Sequence, residues 1–240
     1  MNANSTESSQ PQINLKRAAV GFLLYLFLIP AIIFVSAGTT LWPMAWLYVA
    51  LLLISTLLSR LIVYFKNPDT LLERARYTSP PEDSLPQDRW LSWFIGSVGA
   101  IALMIIAGLD FRYGWSPEVP VIYQYLAAAL LALGYAFGTW AMVVNRFFSA
   151  VVRLQHDRGH TVVTTGPYQF VRHPAYTGSI LANLTFPFML SSYWGLIPAL
   201  ILVVATIYRT KLEDDLLAGG LDGYREYSQI VRYRLVPGLW

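Results

Sequence analysis

The chain has no cysteine, and that single absence removes disulfides, thiolate nucleophiles, palmitoylation and cysteine-based metal sites. Any lipidated cysteine that concerns this protein belongs to a substrate. Charge is scarce as well: Asp, Glu, Lys and Arg make up 13% of the 240 residues, where an ordinary soluble domain carries about 25%. There is no internal repeat, and no G-x-G-x-x-G fingerprint of a dinucleotide site occurs. What fills the chain instead is apolar, with 55% hydrophobic residues and a mean hydropathy of +0.47.

Run length decides whether so much apolar surface faces a core or a bilayer, because crossing the hydrocarbon takes roughly 20 mostly apolar residues. Residues 18–38, 90–109 and 121–144 carry no charge, and 43–65 holds only Arg60, near one end. Residues 174–208 form an uncharged run of 35, too long for one span, with "SSYW" at 191–194 and Gly195 near its middle. That run reads as two helices joined by a tight outer turn. The expected fold is all-α: a polytopic membrane protein of about six transmembrane helices with a C-terminal cytoplasmic helical segment.

The basic residues alternate in step with that count. Lys16 and Arg17 precede the first run. Lys66, Arg74, Arg76 and Arg89 follow the second, and Arg146, Arg153, Arg158 and Arg172 follow the fourth. Arg209, Lys211, Arg225, Arg232 and Arg234 follow the last, while the other connections hold only Arg112. By the positive-inside rule both termini are cytoplasmic. The net charge of +3 and pI near 9.1 then reflect topology, not a nucleic-acid partner. Residues 1–15 read as a disordered leader, 16–144 as four membrane helices, and 145–240 as the part that carries chemistry. The first apolar run is longer than a signal peptide's and is expected to be retained as an anchor.

Two connecting segments have expectations of their own. "SPPEDSLP" at 79–86 is turn-rich and irregular. In "NRFFSAVVRLQHDR" at 145–158, Phe147, Phe148, Val151 and Val152 fall on one helical face, which predicts an extension of the fourth helix or an interfacial helix.

All three histidines, His156, His160 and His173, lie within 18 residues. Singly, each is most simply a solvated loop histidine. His156 and His160 have i, i+4 spacing beside Asp157, but Gly159 interrupts the turn and a metal site needs three or four ligands; no metal is expected. A larger constellation uses more of the residues. His160, Tyr168, Arg172, His173 and Tyr176 bring donors, aromatic faces and fixed charge, and Pro174 opens the fifth helix where its missing N–H costs nothing. Arg209 and Glu213 share a face of the sixth helix one turn apart, and the helical hairpin returns that face to the RHPAY segment. A membrane-edge pocket with cationic, anionic and aromatic walls suits a zwitterionic ligand bearing a nucleobase.

Five elements in order carry a resemblance: His160-Thr161-Val162-Val163 through Gly166 to Tyr168; Arg172-His173-Pro174-Ala175-Tyr176 with Gly178; Arg209 four residues before Glu213-Asp214; Gly223 with Tyr224 and Tyr227; and Pro237-Gly238. From about Asn145 to Trp240 the chain resembles the integral-membrane methyltransferases of the isoprenylcysteine carboxyl methyltransferase and phospholipid N-methyltransferase type. The resemblance implies S-adenosylmethionine in a cytoplasmic pocket, open sideways to the bilayer for a lipid-like acceptor. It implies that His160, Thr161, Val162, Val163, Gly166, Tyr168, His173, Pro174, Ala175 and Tyr176 line the cofactor site, together with Gln155. Glu213 meets the cofactor's charged end, Arg209 faces the acceptor, and Arg172 and Asp214 complete the catalytic group. Val162 and Asp214 stand where the pattern has Leu and a second Glu. A sulfonium would be favoured over the face of Tyr168 or Tyr176.

Two rivals remain at this stage. Sterol reductases share an R-H-x-N-Y-type segment and use NADPH, but Ala175 replaces their Asn and Thr177-Gly178 follows the Tyr. A transporter would carry ionisable groups or broken helices near the midplane, and here only Asn183, Thr185 and Pro187 interrupt the fifth run, as possible walls of an acceptor channel. Prenylcysteine carboxylates, phospholipid amines and smaller amphiphiles all fit such a pocket.

Overall fold

The computed structural model describes residues 15–75 and 84–240; side chains of residues 15–25, 72 and 75 lie outside that description, as do the leader and most of the "SPPEDSLP" segment. Among the described residues every regular element is helical. Long apolar runs without strand alternation allow little else, because a chain in lipid must satisfy its backbone internally.

The helices are α1 (Leu15–Ala37), α2 (Pro43–Lys66), α3 (Pro68–Ala75), α4 (Pro86–Trp93), α5 (Gly99–Tyr113), α6 (Val121–Val144), α7 (Pro174–Met189), α8 (Leu196–Gly220) and α9 (Tyr224–Ile230). A π-helical turn, Phe94–Val98, joins α4 to α5 into one continuous rod. Proline occupies the first turn of α2, α4 and α7, where no N–H is needed.

By length and composition, three described helices can cross a membrane: Pro43–Lys66, the continuous Pro86–Tyr113, and Val121–Val144. Leu26–Ala37 of α1 is a shorter apolar stretch. Their outer faces are apolar: α2 exposes Ile54, Leu57, Leu58 and Leu61, and α8 exposes Ile197, Leu200, Ile201 and Val204. A water-soluble protein rarely exposes contiguous patches of this kind. The uncharged run 174–208 does break into two helices, with the turn at Leu190–Gly195 and Ser191 in the left-handed region at φ 55°.

The tightest helix contact is between α6 and α7, and glycine makes it possible. A Cβ on Gly134 would sit 2.5 Å from the Gly178 carbonyl oxygen, and one on Gly178 would strike the Gly134 carbonyl in return. Gly134 and Gly138 are four apart on α6, and Gly178 and Ala182 face them from α7, the small-residue pattern of close membrane helices. The end of the bundle that carries the α5–α6 and α7–α8 turns is tied by Asp110, 2% exposed. Its carboxylate accepts from the Ser116 and Ser192 hydroxyls (both 2.6 Å) and the Ser116 N–H (2.8 Å).

One expected element is absent. Residues 145–165 do not extend α6 and do not form an interfacial helix; they run as turns with a single 3-10 turn at His156–Arg158. Asn145 ends α6 in extended geometry, and its side-chain oxygen accepts from the Phe147 N–H at 2.8 Å, turning the chain back across the helix ends. Phe147, Val151 and Val152 are buried as expected, but by a loop wrapped over the protein and not by one helical face.

Candidate active site

This loop, the start of α7, the C-terminal half of α8 and helix α9 surround a cavity of about 260 Å³. Gln155, His160, Thr161, Val162, Val163, Tyr168, Arg172, His173, Ala175, Tyr176, Arg209 and Glu213 all line it. The expected site residues that do not are Gly166, Pro174 and Asp214. Gly166 starts the turn before α7, with Val144 2.9 Å from where a Cβ would lie. Pro174 is buried at the first position of α7.

Asp214 has a structural reason to be absent from the wall. It is 4% exposed and sits at the centre of a charged knot behind the cavity. Arg172 donates to it from Nε (2.8 Å) and Nη2 (3.0 Å), Arg234 from Nε (2.7 Å) and Tyr224 from its hydroxyl (2.7 Å), with His173 Nε2 at 3.2 Å. Burial alone would raise its carboxyl, but the bonds from His173, Arg172 and Tyr224 hold it far below the usual carboxylate range. Arg172 is correspondingly occupied: its Nη1 donates to the carbonyls of Val231 (2.8 Å) and Arg232 (2.7 Å). The motif elements thus bind one another. Tyr227 donates to the Tyr168 carbonyl at 2.7 Å, and the closing segment lies along the RHP turn, accepting N–H bonds from Arg172 and His173 at Tyr233 and Arg234. The replacement of the pattern's second Glu by Asp214 falls inside this knot, away from the cavity.

Glu213, one residue earlier, points the other way. It is the carboxylate of the cavity wall among the described residues, and it accepts a hydrogen bond from the Tyr176 hydroxyl at 2.5 Å. It is not paired with Arg209. Arg209 instead donates from Nε to Asp88 (2.6 Å) and from Nη2 to the Ala150 carbonyl (2.8 Å), and its guanidinium lies 5.3 Å from the centre of the Tyr176 ring. That ring face is therefore already taken by a cation.

His160 lies against Phe147, ring centres 4.6 Å apart, and its Nδ1 accepts the Gln155 N–H at 3.3 Å. Burial, reinforced by His156, Arg153 and Arg158, pushes this imidazole down to about 4, so at neutral pH it is uncharged. Asp157, next to His156 in sequence, binds Arg153 at 3.0 Å. Gln155, 1% exposed, is held by the Phe147 carbonyl and Arg158. The Tyr168 phenol accepts from Asn145 at 3.1 Å, and burial pushes its ionisation up.

The N-terminal half supplies residues that sequence spacing did not flag. Asp88 of α4 is fully buried and accepts from Arg209, the Val152 N–H (2.6 Å) and Ser92 (3.1 Å), so it ties α4, α8 and the loop together. Arg74 of α3 enters the cavity wall. The available signal for Asp88 was an acid two residues after the proline that opens a helix, which also describes an ordinary helix start.

A second cavity of about 510 Å³ lies between α2, α5, α6 and α7. Its wall mixes apolar side chains with Arg60 and the polar Ser55, Thr56, Ser59, Thr139 and Asn183, and it shares Arg74, Ile95, Phe148, Ala175 and Ser179 with the first. Of the residues expected along a channel, Asn183 is there. Thr185 instead bonds back to Leu181 in its own helix (2.8 Å).

A helical protein with apolar, membrane-length helices and a polar cavity at their common end is the class these features define. Comparison with known proteins agrees with the motifs. Residues 122–220 match the phospholipid methyltransferase family. Over 151 residues the chain is 31% identical to protein-S-isoprenylcysteine O-methyltransferase of Schizosaccharomyces pombe, covering 59% of this chain and 64% of that protein. The alignment thus spans a little under two thirds of that relative's length. The resemblance read from the motifs is borne out: this part of the chain is similar to the membrane methyltransferases of the isoprenylcysteine and phospholipid type.

Proposed function

We propose that this protein is an S-adenosylmethionine-dependent methyltransferase that modifies a lipid-like acceptor at the cytoplasmic face of a membrane. The observation that carries the reading is the meeting of Glu213, neutral His160 and aromatic walls in one cavity, beside a second cavity between apolar helices. One carboxylate among aromatic groups, with Arg153, Arg172 and Arg209 of the same wall each paired to another acid, fits a nucleoside that bears a cationic sulfur. Glu213 supplies the counter-charge, and the Tyr176 hydroxyl fixes its orientation. Of the two tyrosines expected beside the sulfonium, Tyr176 has its ring under Arg209, and Tyr168 is the one left to receive it.

S-adenosylmethionine, when bound, supplies an activated methyl group. Displacement at that carbon needs the nucleophile in line and close, so much of the acceleration comes from positioning. A carboxylate acceptor is already a nucleophile. An amine acceptor must lose a proton, and Glu213 is the carboxylate within reach of the cavity. In this reading six spans (α1, α2, the α4–α5 rod, α6, α7 and α8) put both termini and the site on the Lys/Arg-rich side, which the alternation of basic residues supports.

The test is calorimetric titration of S-adenosylmethionine and, separately, NADPH into the detergent-purified protein and its Glu213→Gln variant. The expected result is S-adenosylmethionine binding that the variant loses. Binding of NADPH alone would replace this reading with a reductase.

A further inference from the structure

The arginines in the wall of the first cavity are Arg74, Arg153, Arg172 and Arg209. Arg153 is paired with Glu73, Arg172 with Asp214 and Arg209 with Asp88. Arg74 differs. Among the described residues it has no hydrogen-bonding or ion-pair partner; its guanidinium lies over the Phe148 ring, 5.3 Å from the centre. It also lines the second, membrane-side cavity. Burial, with Arg60 and Arg209 adding repulsion, lowers it to about 10, so it remains charged at neutral pH. A half-buried cation without a counter-ion, set where two cavities meet, is a ready place for an anion to bind.

We propose that Arg74 anchors an anionic group of the acceptor, a carboxylate or a phosphate, at the boundary between the two cavities. This rests on the methyltransferase reading and names the substrate class within it. It moves the anion-binding role from Arg209, whose Nε and Nη2 are committed to Asp88 and Ala150, to a residue 135 positions earlier on the short helix α3. The cofactor's own carboxylate is an anion too, but the wall that Arg74 shares with the membrane-side cavity points to the acceptor. For a carboxylate acceptor, the oxygen bonds to the methyl carbon as the carbon–sulfur bond breaks, its electron pair remaining on sulfur. The product is a neutral ester, Arg74 loses its partner, and product binds more weakly than substrate.

The full-length protein, Arg74→Gln and Arg74→Lys are to be titrated in detergent with four probes. These are a farnesylated cysteine as the free acid, its methyl ester, a lysophospholipid and a monoacylglycerol. S-adenosylmethionine affinity is measured alongside. The expected result is a preference of roughly 10- to 100-fold for one anionic probe over its neutral partner. Arg74→Gln abolishes it, Arg74→Lys keeps part of it, and S-adenosylmethionine affinity is unchanged. Preference within the first pair identifies a carboxylate, and within the second a phosphate. A wild type without preference, a preference that survives Arg74→Gln, or a loss confined to S-adenosylmethionine binding overturns the assignment. Failure of the wild type to bind S-adenosylmethionine counts against the methyltransferase reading, while the paired probes still decide the role of Arg74.

Discussion

Asp214 and Glu213 are neighbours on α8, and the structure gives them opposite duties that one pair of substitutions separates. Asp214→Asn keeps the shape and removes the charge. Arg172 and Arg234 lose their carboxylate, and Tyr224 keeps at most a weaker acceptor. The Arg172 and Asp214 side chains are each 6% exposed, so water cannot replace the lost partner. Removing one member of a buried ion pair costs about 3–5 kcal/mol. The separate contacts do not add beyond this, because they share one carboxylate. Against a total stability of about 5–15 kcal/mol, that raises the unfolded fraction by roughly two to four powers of ten. Equilibrium unfolding in mixed micelles of dodecyl sulfate and a mild detergent reads it directly. Glu213→Gln, on the cavity side, is expected to change stability by less than about 1 kcal/mol while abolishing S-adenosylmethionine binding. If Asp214→Asn costs under 1 kcal/mol, or if Glu213→Gln destabilises equally, the division of labour between the two carboxylates is wrong.

Acid is expected to weaken the fold in a defined window. His160 titrates near 4 when folded against 6.5 unfolded, so the unfolded chain takes up a proton first, and stability falls as pH drops from about 6.5 to about 4. The lowered carboxyl of Asp214 extends the loss below 3.8; unfolding midpoints measured from pH 4 to 7 should show the slope, and His160→Asn should flatten its upper part. Gly134→Val drives a side chain into the Gly178 carbonyl and is expected to cost at least about 1–3 kcal/mol, seen as a lower melting midpoint in detergent. Deleting the residues after Arg232 removes the carbonyls that pair with the Arg172 and His173 N–H groups, and hydrogen exchange at those amides should accelerate.

Much of the architecture was legible in the chain. Helix α2, the α4–α5 rod and α6 were visible as long apolar runs with little or no charge, and the α7–α8 hairpin as a run too long for one span, because membrane helices are specified by hydropathy over a local window. The cavity was legible in part, since its C-terminal wall comes from motifs at short, regular spacings. The 145–158 segment misled because buried aromatics in a wrapped loop can copy a helical period.

What the sequence by itself determined is the set of apolar helices and the group of chemical residues at one end of them. Tertiary structure alone decided which groups meet. Adjacent positions on a helix differ by about 100° in direction, so only the docking of α8 against α7 and the tail sends Glu213 to the cavity and Asp214 to the knot. Likewise Asp88 finds Arg209 across 121 residues, and Arg74 arrives from α3 by the packing of that short helix. No local spacing encodes such pairings, because they exist only once distant segments have been brought together.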